Sequence, residues 1–113
     1  MDLNYVEADT LFYHLIRPIG ETLNGNGESG LEARLDANYG EKDLVLDLSS
    51  VRHLTTAALR ALVDTERRLN RSGGMLRLII PIGNPIYGII ENAGFTSIFR
   101  MYANRESLDA NYM

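Results

Sequence analysis

The chain has 113 residues, 45% of them hydrophobic and 23% charged, and these values favour one globular domain over residues 1–113. Its net charge of -4 disfavours nucleic-acid binding, because phosphate contacts need clustered Lys and Arg. The absence of cysteine excludes disulfides and thiolate chemistry. Since neither a signal peptide nor a membrane-spanning apolar run is visible, we expect a cytoplasmic protein without membrane insertion.

The first half of the chain predicts three strands and one helix. In chain order these are strand Leu3 to Ala8, strand Leu11 to Ile16, a helix from Leu31 to Tyr39 and strand Leu44 to Leu48. Pro18 and Gly20 should end the second strand. A glycine-containing loop, residues 24–28, precedes the helix, which Ser29 should begin with capping-box spacing and Gly40 should end.

The second half alternates helices and strands. In chain order it predicts a helix from Thr55 to about Arg71, strand Met75 to Ile80, a helix from Asn84 to Ala93, an edge strand between Phe95 and Tyr102, and a short helix from Asn104 through Leu108. Asn84 and Pro85 form a strong helix start. The alternation predicts an α/β domain with a mixed four- to five-stranded sheet and about four helices packed mainly on one face.

Residues that could perform catalysis are scarce. His14 and His53 each stand alone, whereas metal sites need several donors, so we predict no metal site and no cofactor. Asp47 ends a core strand and should hydrogen-bond to the following loop. The chain is therefore not expected to be an enzyme. The alternative is a small hydrolase or transferase with Thr56 as nucleophile and His53 as base, although no third group that would orient the base is identifiable.

Two adjacent threonines, Thr55 and Thr56, open the long helix. A hydroxyl at this point can cap the helix by accepting a hydrogen bond from a free backbone N–H. It can also be a phosphorylation site, because free N–H groups and the positive end of the helix dipole stabilise an added dianion. Capping requires only one of the two threonines, so the other is a candidate phosphorylation site.

Three segments of the chain resemble the STAS family of sulfate transporter and anti-sigma factor antagonist domains. The run from Leu46 to Leu59 follows the family's strand, short crossover and Asp-Ser-Ser/Thr-Gly-Leu helix start, with Thr55 at the Asp position and Ala58 at the Gly position. Gly73 to Leu78 resembles the family's Gly-Gly turn into a strand, and Ile89 to Phe99 resembles its helix that ends in a glycine. The resemblance is weaker at the N-terminus, where residues 19–22 stand for a Gly-x-Leu-Asp turn.

The resemblance implies a single STAS-like domain that acts by binding a protein. Its partner would be an anti-sigma factor that is a serine/threonine kinase, and a phosphatase would reverse the phosphorylation. The implied phosphoacceptor is Thr56, with Thr55 as the less favoured choice. The partner-binding residues would be Leu54, Thr55, Thr56, Ala57, Ala58, Leu59, Gly20 and Glu21. The alternative is an accessory subunit of an ABC lipid-transport-like or stressosome-like complex, and a weak homodimer is compatible with either.

Overall fold

The structure is a computed structural model that describes residues 4–24, 34–35 and 42–112. Its strands are β1 (Asn4–Asp9), β2 (Tyr13–Ile19), β3 (Thr22–Leu23), β4 (Asp43–Asp47), β5 (His53–Leu54), β6 (Leu76–Ile79) and β7 (Arg100–Tyr102). The helices with both ends described are α1 (Thr56–Arg71), α2 (Ile86–Asn92) and α3 (Arg105–Asp109). A 3-10 turn at Ala110–Tyr112 follows α3. None of the helices in these ranges is long and apolar enough to span a bilayer.

Five strands form one mixed sheet in the order β1-β2-β4-β6-β7. The first pair is antiparallel and the other three pairs are parallel. This confirms the predicted mixed sheet and the parallel pairing across the strand–helix–strand connections. β3 and β5 form a separate parallel pair beside it.

The sheet has apolar side chains on both faces. Alternate residues of β4 divide between two clusters, because successive side chains of a strand point to opposite faces. Leu44 and Leu46 join the larger cluster, which includes Leu62 of α1 and Ile90 of α2. Val45 joins the smaller cluster, which includes Leu108 of α3. Helices α1 and α2 therefore cover one face of the sheet, and α3 packs against the other face.

Several predicted boundaries differ from the structure. β2 begins at Tyr13 and continues past Pro18 to Ile19. The proline is tolerated because the β2–β4 pairing already ends at Ile16, so the missing N–H interrupts no bond to β4. The edge strand is confined to Arg100–Tyr102. Of the helix predicted from 31 to 39, only residues 34–35 are described, and both are helical. Its Ser29 start, the Gly40 end and the glycine-containing loop lie outside the described residues.

Candidate functional site

The candidate site begins where β4 ends. Asp47 Oδ1 accepts a hydrogen bond from the Ser49 N–H at 2.9 Å, so this carboxylate lies at the strand end and bonds to the loop as predicted. The Val51 N–H then donates to the Leu48 carbonyl at 3.0 Å, and both residues are fully buried. Residues 48–52, which we call the crossover, are therefore anchored to the core before the chain enters β5.

A second segment lies beside the crossover because β3 pairs with β5. The Glu21 carbonyl accepts hydrogen bonds from the Arg52 N–H at 2.8 Å and the His53 N–H at 3.0 Å. The Thr55 N–H donates to the Leu23 carbonyl at 3.1 Å. Gly20 and Glu21, which the resemblance assigned to the partner-binding set, are thus brought next to the segment that leads into α1.

The two threonines at the start of α1 differ in their surroundings. Thr55 is the N-cap, and its hydroxyl oxygen accepts a hydrogen bond from the Ala58 N–H at 3.1 Å. Thr56 is the first residue of α1 and is exposed. Across the described ranges, no hydrogen bond joins Thr56 to His53. The capping role therefore belongs to Thr55, and the exposed hydroxyl belongs to Thr56.

Burial divides the segment from Leu54 to Leu59. Leu54 is 4% exposed, Ala58 is fully buried and Leu59 is 9% exposed, and all three belong to the larger core cluster. The side chains of these three residues pack inside the domain, and their place in the partner contact stays a prediction. Thr56 and Ala57 are the exposed residues of the segment, and Thr55 is half-buried.

Asn84 is a residue of this region whose role the sequence revealed only in part. Its Oδ1 accepts from the Ile86 N–H at 2.9 Å, which is the predicted cap of α2. Its Nδ2 also donates to the Val51 carbonyl at 2.9 Å and to the Leu48 carbonyl at 3.3 Å. No sequence signal indicates these last two bonds, because they join segments more than thirty residues apart.

Three residues with basic side chains lie close to Thr56 in the sequence. Arg52 and His53 are exposed immediately before the helix, and Arg60 is exposed four residues after Thr56. α1 has no acidic residue in its first turn. Residues four apart lie on the same face of a helix, so Arg60 and Thr56 share one face. The start of α1 therefore carries the exposed Thr56 with Arg60 on the same helix face, while the exposed Glu21 lies beside the segment that precedes the helix.

The mixed sheet, the accessory β3–β5 pair and the helix that starts after the crossover define an α/β domain of the STAS type. The family model for the STAS domain matches residues 3–108, and the chain belongs to this family. Among curated proteins, none matches the sequence.

Solved structures share this fold at low sequence identity. An anti-sigma factor antagonist from Mycobacterium paratuberculosis superposes with a TM-score of 0.80 at 21% identity, over 98% of this chain and 95% of that one. The anti-sigma factor antagonist SpoIIAA in its unphosphorylated form gives 0.72 at 12% identity, over 96% of each chain. A sulfate transporter family protein from Wolinella succinogenes gives 0.72 at 17% identity, over 92% of this chain and 87% of that one.

Proposed function

We propose that this chain is a regulatory protein-binding module of the anti-sigma factor antagonist type. It docks through the start of α1 on an anti-sigma factor that is also a serine/threonine kinase. The observation that carries the proposal is the exposed Thr56, one residue beyond a neighbour that already caps the helix. A kinase could modify this hydroxyl without removing the hydrogen bond that closes the first turn. Two of the structural neighbours are anti-sigma factor antagonists, which agrees with this function.

Phosphorylation of Thr56 would switch the docking. A phosphate would add about −1.5 to −2 charges at neutral pH at the point of contact. The helix dipole and the backbone N–H groups of the first turn would stabilise it, and Arg60 on the same face would pair with it. A partner surface fitted to the small, uncharged side chains of Thr56 and Ala57 would have to desolvate that charge. The phosphorylated form should therefore release the partner, and a phosphatase should restore binding.

Incubation with a candidate anti-sigma factor kinase and ATP, followed by peptide mass spectrometry, tests the switch. We expect one phosphate on Thr56, no phosphate on a Thr56→Ala variant, and normal modification of a Thr55→Ser variant, which keeps the cap. Absence of phosphate from both threonines, under conditions that modify a control antagonist, would contradict the phosphorylation switch. Only the docking part of the proposal would then stand. Titration of the unmodified chain with the same kinase tests docking separately.

A transport-linked role is the second candidate. The similarity to a sulfate transporter family protein favours it, because the same fold then occurs in a transport setting. In this role the chain would be an accessory subunit of an ABC lipid-transport-like complex, and a stressosome-like assembly is a related setting. Reconstitution with a transporter encoded beside the gene tests this role. Stable binding to that transporter, with no binding to an anti-sigma factor kinase, would favour it over the first proposal.

A further inference from the structure

The surface that α1 offers at its start is small for a protein interface. Within the segment from Leu54 to Leu59, Thr56 and Ala57 are the two exposed residues. A stable interface covers about 800 Å² on each partner, or roughly 20–30 residues. Most of its binding energy comes from a few large side chains near its centre. Two small side chains cannot supply this, so the proposed docking surface must continue onto neighbouring elements.

The turn between β6 and α2 presents large apolar side chains to solvent. Ile82 is 94% exposed and Tyr87 is 46% exposed. The turn is well defined, because the Asn84 N–H donates to the Pro81 carbonyl at 3.0 Å and Gly83 has a φ of +87°. A glycine with positive φ at the third position is typical of a type II turn. Ile82 therefore lies outside the core on a hydrogen-bonded turn.

A groove of about 500 Å³ lies beside this turn. Its lining includes Ile80 and Ile82 after β6, Met101 and Tyr102 of β7, and Tyr87 of α2. None of the described lining residues carries a charge. A groove of this composition fits an uncharged, apolar side chain, because burying a charged one without a partner is costly.

The turn beside the groove is joined by hydrogen bonds to the segment that leads into α1. The bonds from Asn84 to the carbonyls of Leu48 and Val51 fix the β6–α2 turn to the crossover. That crossover leads directly through β5 to Thr56. The turn and the crossover also follow the carboxyl ends of β6 and β4, which are parallel neighbours. In open α/β sheets, ligands bind at this edge.

Resting on the proposed function, we propose that the protein partner that contacts Thr56 also inserts an apolar side chain of the leucine, methionine or phenylalanine kind into the groove between Ile82 and Met101. The start of α1 then supplies the chemical switch, and the groove supplies most of the apolar binding surface. The partner is a single protein that covers both sites at once.

Site-specific photo-crosslinking in cells that produce the full chain tests whether one protein covers both sites. The photoreactive residue is placed at Ala57, at Ile82 and, as a control, at Val6, which is 53% exposed on β1. We expect one protein, identified by mass spectrometry, to attach at both positions 57 and 82 and not at position 6. That protein is then purified and titrated against the Ile82→Ser and Val6→Ser variants.

We expect Ile82→Ser to weaken binding by about tenfold or more, as for an apolar interface anchor, and Val6→Ser to leave it unchanged. Because both residues are exposed, neither variant should impair folding, and far-ultraviolet circular dichroism checks this. If a protein attaches at position 57 but Ile82→Ser binds it as tightly as the parent chain, the groove inference is wrong and the proposed function stands. If no protein attaches at position 57, the proposed function fails and the inference fails with it. Attachment of position 82 only to a second copy of this chain would also overturn the inference, in favour of self-association.

Discussion

The Thr55 hydroxyl oxygen accepts a hydrogen bond from the Ala58 N–H at 3.1 Å and so closes the first turn of α1. The Thr55 backbone is extended, with φ −74° and ψ 161°, as expected of an N-cap residue. Thr55 therefore caps the helix, while its neighbour Thr56 is exposed. Stability and binding can then be changed separately by mutation of the two residues.

Thr55→Ala should lower the free energy of unfolding by about 1 kcal/mol, because it removes the acceptor for a free N–H of the first turn. Thr55→Ser keeps the hydroxyl and should retain most of that stability. Urea denaturation of the full chain measures both. Thr56→Ala is the matched control and should change the free energy by less than about 0.5 kcal/mol, as for most surface substitutions. Equal losses for Thr55→Ala and Thr56→Ala would contradict the capping role.

Glu66 is a buried carboxylate, 5% exposed, that joins α1 to β6. Its Oε2 accepts from the Leu76 N–H at 3.0 Å, and its Oε1 accepts from Asn70 Nδ2 at 2.9 Å. Glu66→Leu should destabilise the chain by about 1–3 kcal/mol, because the buried Leu76 N–H loses its acceptor. Glu66→Gln should lose less, since an amide oxygen can still accept.

Guanidinium denaturation compares these two variants, and amide exchange at Leu76 reports the lost bond directly. Glu91→Gln, on an exposed part of α2, is the control for removal of a carboxylate charge. The assignment fails if the Leu76 amide exchanges equally slowly in Glu66→Leu and in the parent chain.

The substitution Asn84→Asp removes the hydrogen-bond donor of the Asn84 side chain and keeps an oxygen acceptor. The carboxylate can still accept from the Ile86 N–H, but it cannot donate to the carbonyls of Leu48 and Val51. The Leu48 carbonyl keeps the Val51 N–H as a donor, whereas the carbonyl of the fully buried Val51 loses the Asn84 donor, and we therefore expect a loss of about 1–3 kcal/mol. Thermal unfolding measures it, with the exposed Asn4→Asp as control. A midpoint equal to that of the control would show that these two bonds contribute nothing to stability.

Tyr112 links the C-terminal turn to the sheet, since its hydroxyl donates to Asp43 Oδ2 at 2.6 Å. Burial, followed by this hydrogen bond, raises the pKa of Tyr112 above its ordinary value of 10.0. Above that pH the unfolded chain releases the phenolic proton while the folded chain keeps it. The stability that this proton contributes is therefore present below pH 10 and is lost as pH rises further.

Tyr112→Phe should for this reason make unfolding less sensitive to alkaline pH. We expect the stability difference between the parent chain and the variant to shrink as the pH is raised through and beyond the ordinary tyrosine pKa. Denaturant titrations across the alkaline range measure it. A difference that stays constant over that range would contradict the raised pKa of the Tyr112 phenol.

Local sequence patterns predicted much of the fold. The helix starts near Thr55, Asn84 and Asn104 were readable because each cap joins residues within three positions of one another. The core strands β4 and β6 were readable from continuous apolar runs, which are typical of strands covered on both faces. β3 and β5 were missed because a two-residue strand is too short to show any periodicity. They exist because Thr22 and Leu23 find partners thirty-one residues further along the chain.

For the candidate site, the sequence by itself determined that two hydroxyls stand at the start of a helix after a core strand. Only the tertiary structure decided which side chains of that segment are exposed to solvent. It buries Leu54, Ala58 and Leu59, exposes Thr56, and connects the crossover to the turn that carries Ile82. Helix starts follow from neighbouring residues. Burial and surface continuity depend on which distant segments pack together, and a single segment of sequence does not contain that information.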